Sequence, residues 1–227
     1  MTISGQDGVD ADEQTVFSYT VVDEIGNSDT GLVEVTTTPC FVAGTLIETP
    51  SGPVPVEDLE PGDLVLTRDH RAQPLRWIGS TRRRAEARDA PVQFAAGALG
   101  AHQALELSPC HRVLLQDEWA DVLSGVSEVL VKARDLVNGH SISRREDARP
   151  VTYVHLLFDQ HEIICGNGLE SESYHPGEET LDSFDAETRA EVLALMGGDI
   201  AGYGASARMS LKPFEVQALQ LQSGLQA

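Results

Sequence analysis

Along most of this chain, apolar residues come in short alternating bursts separated by turn residues. Two β-rich runs at 16–22 and 32–37 flank a polar stretch of Gly, Asn and Asp, which predicts a hairpin. Further short strands are expected at 45–48, 54–59, 64–67, 75–78, 92–94, 104–107, 112–115, 129–131, 151–158 and 162–165. Turn signals such as Pro50-Ser51-Gly52-Pro53 and Pro61-Gly62 punctuate them. Many short strands at this spacing predict an all-β unit. The pattern then changes. Val192, Leu193 and Leu195 lie among Glu and Arg and are followed by Gly197-Gly198, which predicts a helix over 186–196 with Asp185 as its N-cap. A second helix is expected over 213–221, with Pro213 in its first turn.

Composition narrows the classes. The 227 residues carry 16 Lys and Arg against 36 Asp and Glu, a formal net charge of −20. Such a chain repels phosphate backbones, so nucleic acid is not an expected partner. Hydrophobic residues make up 41%, enough for a core. No run approaches the 18 or so apolar residues of a membrane-spanning helix, so no membrane span is expected. Residues 1–39 hold eight acids and no Lys or Arg, a distinct compositional block. No cationic-then-apolar start marks a conventional secretory signal. Cys40, Cys110 and Cys165 are odd in number and contain no C-x-x-C pair, so reduced thiols are expected, Cys110 included.

Chemistry concentrates at the edge of the acidic block. Cys40-Phe41-Val42-Ala43-Gly44-Thr45 opens the β-rich part, and Leu59-Glu60-Pro61-Gly62-Asp63-Leu64-Val65 follows. Ser108-Pro109-Cys110-His111 comes later, then Tyr153-Val154-His155, His161 and Asn167-Gly168. A Cys side chain can attack the carbonyl of the preceding residue through a five-membered ring, and an intramolecular attack gains a large effective molarity. The product is a thioester, and the amide nitrogen leaves only when protonated, which calls for a positioned acid and a polarising hydroxyl. Sulfur suits the task because a few per cent of an ordinary thiol is thiolate at neutral pH.

The order of these elements resembles the Hint domain shared by inteins, Hedgehog autoprocessing domains and bacterial intein-like domains, and looks most like the bacterial secreted branch. The resemblance runs from about Cys40 to Gly177. It implies a Hint-type, horseshoe-like all-β fold over 40–177 with short C-terminal helices over 178–227. Residues 1–39 are then a β-hairpin stub of an upstream host domain, similar to the closing strands of Ig- or cadherin-like repeats. The resemblance further implies that Cys40 attacks the Pro39 carbonyl, that His111 protonates the Cys40 amide nitrogen and that Ser108 holds the scissile peptide. His161 matches the His before the family's Asn-Gly, and His155 is a second acid or base, facing the same side of its strand as Tyr153. A secreted or cell-surface location follows from the same resemblance.

The chain departs from the splicing pattern: no His-Asn pair ends the domain, so Asn cyclisation and splicing are not expected. Ser108 stands where Thr is commoner, and Pro39 stiffens the residue before the cut. The expected activity is a single self-directed cleavage rather than turnover. The chain's own N-terminal segment is the substrate, and water, a thiol or an amine resolves the thioester. No cofactor or metal is implied; His155, His161 and Cys165 lack a fourth ligand and paired spacing. Asp63 reads as a turn residue and Arg82-Arg83-Arg84 as a solvated loop. The same departures also fit an inactive Hint-like binding or structural module of a secreted adhesin-like protein.

Overall fold

The computed structural model describes residues 2–4, 14–22, 28–36, 38–84, 90–147, 149–177, 181, 184, 186–198 and 201–223. The hairpin is present as β2 (Gln14–Val22) and β3 (Ser28–Thr36), paired antiparallel from Gln14↔Thr36 to Val22↔Ser28. β1 (Thr2–Ser4) joins β2 on its other side.

Short strands then follow in quick succession. They are β4 (Phe41–Val42), β5 (Leu46–Ile47), β6 (Val54–Pro55), β7 (Leu64–Thr67), β8 (Arg71–Pro74) and β9 (Trp77–Arg84). After them come β10 (Val92–Phe94), β11 (Leu105–Leu107), β12 (Arg112–Gln116), helix α1 (Glu118–Ser124) and β13 (Glu128–Lys132). β14 (Ile142–Arg144), β15 (Pro150–Leu157), β16 (Ile163–Gly166) and β17 (Leu169–Glu172) complete the β part. The C-terminal segment holds α2 (Ala186–Leu195), β18 (Met209–Ser210) and α3 (Pro213–Ser223). The fold is therefore all-β with short helices.

One sheet runs β14-β10-β11-β4-β15-β9. A second runs β18-β13-β12-β17-β16-β5-β6, with β7 on β16 and β8 on β7. Both contribute to one apolar cluster, including Phe41, Phe94, Leu107 and Val154 from the first and Ile47, Val65, Val113 and Val131 from the second. Burying each such side chain is worth about 1.5–3 kcal/mol. α3 adds Val216 and Leu219 to it. A second cluster of Trp77, Leu157, Tyr174, Leu181 and Val192 seats α2.

Several expected elements differ. Residues 54–59 stop being a strand after Pro55 and turn through a 3₁₀ segment, Val56–Asp58. The Arg82-Arg83-Arg84 run is not a loop but the end of β9, paired with Thr152, Val151 and Pro150 of β15. The ladder decides this, because it gives the backbone of a polar run hydrogen-bond partners that composition does not reveal. α1 has no strong apolar periodicity. Its signals are the caps: the Asp117 carboxylate accepts from Trp119 N–H at 2.7 Å, and Gly125 ends it at φ 77°. Asn167 (φ 51°) and Gly168 (φ 88°) form the two-residue turn joining β16 to β17. Asp63 takes part in a turn as expected, its carboxylate accepting from Glu60 N–H at 2.8 Å. The proposed cap Asp185 lies outside the described residues.

Candidate functional site

β4 is only two residues long, yet its neighbours organise the site. β11 pairs with it through Leu107↔Phe41, and β15 through Val154↔Phe41 and Tyr153↔Val42. The chain entering β4, residues 38–40, is thereby held between Ser108, which follows β11, and His155, which lies on β15. Thr38, Pro39 and Cys40 are all buried.

The Pro39–Cys40 peptide is gripped on both sides. Cys40 N–H donates to the Ser108 hydroxyl at 2.9 Å. That hydroxyl donates in turn to the Thr38 carbonyl oxygen at 2.9 Å. Ser108 N–H donates to the Cys40 carbonyl at 3.0 Å, so Ser108 brackets Cys40 with side chain and backbone. At the other side, His155 Nδ1 lies 2.9 Å from the Pro39 carbonyl oxygen. A carbonyl only accepts, so Nδ1 carries the proton and Nε2 of the neutral ring is the acceptor. Nε2 faces the Cys40 thiol, 3.4 Å from Sγ, and lies 3.5 Å from the Thr38 hydroxyl. The thiol itself donates to the Thr38 carbonyl at 3.1 Å.

Burial sets the electrostatics. It pushes the Cys40 thiol up to about 12, against the pull of the Thr38 and Ser108 hydrogen bonds and of the Arg83 charge. It pushes the His155 imidazole down to about 4, against the pull of the Pro39 carbonyl. Both groups are thus neutral at pH 7. Aromatic rings supply the low-dielectric wall: Tyr174 and Phe184 meet His155 edge-on at 5.5 and 5.2 Å, and Trp77 stacks at 6.4 Å. Trp77 fits because His155 pairs with Gly79, where a Cβ would stand 2.1 Å from the indole.

His111 enters through the turn after β11, its N–H donating to Ser108 C=O at 3.1 Å. Its ring meets Phe41 edge-on at 4.5 Å, and neither ring nitrogen has a hydrogen-bond partner among the described residues. Burial holds its imidazole down at about 4, with Glu172 and the Cys40 backbone opposing. The Ser108 hydroxyl, rather than His111, makes the direct contact with the amide nitrogen.

His161 makes its contacts elsewhere. Its Nδ1 accepts from Ala207 N–H at 2.9 Å, and Nε2 stands 3.1 Å from the buried Glu172 carboxylate, which is paired with Arg112. The Arg112 charge, with hydrogen bonds from His161 and Arg112, holds Glu172 down at about 2 despite burial. Asn167 is occupied as a turn residue, its amide oxygen accepting from Leu46 N–H and its amide nitrogen donating to Ala104 C=O, both at 2.7 Å. Cys40, Cys110 and Cys165 form no disulfide.

A cavity of about 20 Å³ lies beside Cys40, with Thr81, Arg83 and Tyr153 on its far wall. That is room for about one water-sized group. Thr38, Thr81 and Arg83 were missed from sequence, because sheet pairing rather than local spacing delivers them.

The profile of the family described as Hint domain matches residues 39–178. Among solved structures, the bacterial intein-like domain from Clostridium thermocellum is similar at 16% identity and a TM-score of 0.44, covering 61% of this chain and 99% of that one. An AceL NrdHF class 3 split intein is similar at 15% identity and a TM-score of 0.42, covering 60% of this chain and 97% of its own. The MchDnaB-1 intein is similar at 16% identity and 0.38, covering 58% and 98%. No curated protein matches the chain.

Proposed function

Because the chain belongs to the Hint domain family, whose profile spans more than half of it, we propose that it cuts its own backbone between Pro39 and Cys40. The route is an N–S acyl shift without splicing. One observation carries this: the buried Pro39–Cys40 peptide is held at its nitrogen by Ser108 and at its carbonyl oxygen by His155, with the Cys40 thiol beside the same imidazole.

His155 Nε2 takes the thiol proton as Sγ attacks the Pro39 carbonyl carbon. The negative charge that develops on the carbonyl oxygen is met by Nδ1–H, already in place at 2.9 Å. Preorganised donors of this kind carry much of the rate in acyl transfer. The C–N bond then breaks, and the proton that left sulfur ends on the Cys40 nitrogen. Ser108 holds that nitrogen through its hydroxyl, and His111, its ring nitrogens unpartnered among the described residues and set against Phe41, is assigned the delivery of the proton on the strength of the family resemblance alone. The products are a thioester of Pro39 on Cys40 Sγ and a free amine. His161 is assigned a structural place, buttressing Glu172, the Ser206 hydroxyl and the Ala207 backbone.

Two further features support action in cis. Residues 38–40 fill the site themselves, and the space left holds about one water-sized group rather than a foreign peptide. Asn167, fixed in its turn by two hydrogen bonds, is not presented for cyclisation. The reading of a module without chemistry draws on one observation, the thiol proton resting on the Thr38 carbonyl of a sulfur held near 12.

Intact masses of the wild type and Cys40→Ala, followed over a day with and without dithiothreitol, test the proposal. Cleavage between Pro39 and Cys40 in the wild type alone, accelerated by thiol, is the expected result. An unchanged mass from folded wild-type protein under both conditions overturns it and leaves the module reading.

A further inference from the structure

Among the described residues, Arg68, Arg76, Arg112, Arg145 and Arg208 each meet a carboxylate. Arg83 is different. Its side chain forms no ion pair or hydrogen bond among the described residues, and it lines the cavity beside Cys40. The β9 ladder explains its aim. Thr81 and Arg83 alternate with exposed Ser80, Arg82 and Arg84, and pair with Tyr153 and Val151 of β15, so both half-buried side chains reach the cavity. The Arg83 charge acts on both Cys40 and His155.

We propose that the nucleophile resolving the Cys40 thioester is a small carboxylate-bearing thiol or amine, which docks its carboxylate on Arg83. This rests on the acyl shift proposed above. The cavity of about 20 Å³ admits the reacting atom. The body of the acceptor then stays outside the cavity, over the end of β9, with its carboxylate on the half-buried Arg83. A guanidinium fork matches a carboxylate in shape as well as charge. Everywhere else the net charge of −20 favours cations over anions, so a preference for an anionic acceptor is a local property of this wall.

In the thiol case, the acceptor thiolate attacks the Pro39 thioester carbon. A new C–S bond forms, His155 Nε2 takes up the proton that the acceptor thiol gave up on forming its thiolate, the bond to Cys40 Sγ breaks, and Sγ leaves with the electron pair and takes that proton from His155. The N-terminal segment departs as the acceptor's thioester. An amine acceptor gives up one proton to His155 and forms an amide, again freeing the Cys40 thiol.

The test compares three thiols at equal thiolate concentration on the full chain: 3-mercaptopropionate (anionic), 2-mercaptoethanol (neutral) and cysteamine (cationic). Appearance of the N-terminal fragment is read by intact mass. In the wild type, 3-mercaptopropionate is expected to act about fivefold faster than 2-mercaptoethanol, with cysteamine slowest, the advantage of a half-exposed ion pair. Arg83→Gln should bring the three rates together, while Arg83→Lys keeps the order. A uniform slowing by Arg83→Gln with the order intact overturns the docking role, as do equal rates in the wild type. No fragment with any thiol overturns the acyl shift itself and the acceptor proposal with it.

Discussion

His155 and Pro39 stand 116 positions apart in the chain and meet at 2.9 Å, imidazole Nδ1–H to carbonyl oxygen. The donor faces the one oxygen that becomes negative if the neighbouring thiol attacks. His155→Ala should therefore slow cleavage about 10²–10³-fold, the usual cost of removing an oxyanion donor. His155→Gln, which keeps a donor but offers no base, should fall between. Single-turnover rates from intact mass check both, and a His155→Ala rate equal to wild type removes His155 from the reaction.

Ser108 serves the other end of the same peptide. Ser108→Ala leaves the buried Cys40 N–H without its acceptor, a loss of about 1–3 kcal/mol in stability, and also slows cleavage. Ser108→Thr retains the hydroxyl and should cleave at near wild-type rate. Urea midpoints and cleavage rates measured on the same preparations separate the two effects.

Acid should weaken the fold before it protonates the carboxylates. His111 and His155 are neutral in the fold with values near 4, below the ordinary 6.5 of an unfolded histidine. Between those values the unfolded chain binds more protons, so stability is complete above pH 6.5 and is lost as pH falls towards 4. Each group contributes on the order of 3 kcal/mol at neutral pH. Glu172, held near 2 against an ordinary 4.5, extends the loss as pH falls from 4.5 to 2. Urea midpoints at pH 7.5, 6, 5 and 4 should drop steadily, and His111→Leu should flatten the upper part of the curve. A midpoint independent of pH over that range contradicts the buried neutral histidines.

The Arg112–Glu172–His161 group is expected to matter for stability rather than chemistry. Glu172→Gln leaves Arg112 without its counter-charge, at a cost of about 3–5 kcal/mol. His161→Ala removes the acceptor of Ala207 N–H. Both variants, assayed where they remain folded, should cleave within about threefold of wild type, far from the change expected for His155. A His161→Ala loss as large as that of His155→Ala would return His161 to the reaction.

Much of this was legible from local pattern. Period-2 alternation and turn residues marked the strands because each short segment buries one face, and Val92–Phe94 appears as expected. Cys40 and Ser108 stood out by their motif, and Ser108 does contact the Cys40 nitrogen. What local pattern could not carry was pairing. Arg82–Arg84 looked like a loop because composition says nothing about which ladder a polar run joins. α1 escaped because caps, not periodicity, define it.

The amino-acid sequence alone determined the β-rich character and the acidic composition of residues 1–39, since each depends on residue types within a few positions. Tertiary structure decided which histidine faces the Pro39 carbonyl. His155 does so because β4 lies between β11 and β15, whereas His161, in the segment leading into β16, is drawn to Glu172 and the Ala207 backbone. It also decided that Arg83 borders the Cys40 cavity, because β9 pairs with the same β15 that carries His155. The Ser108–Thr38 and His155–Pro39 contacts join segments 70 and 116 residues apart, set by strand order and buried area, and no spacing along the chain encodes them.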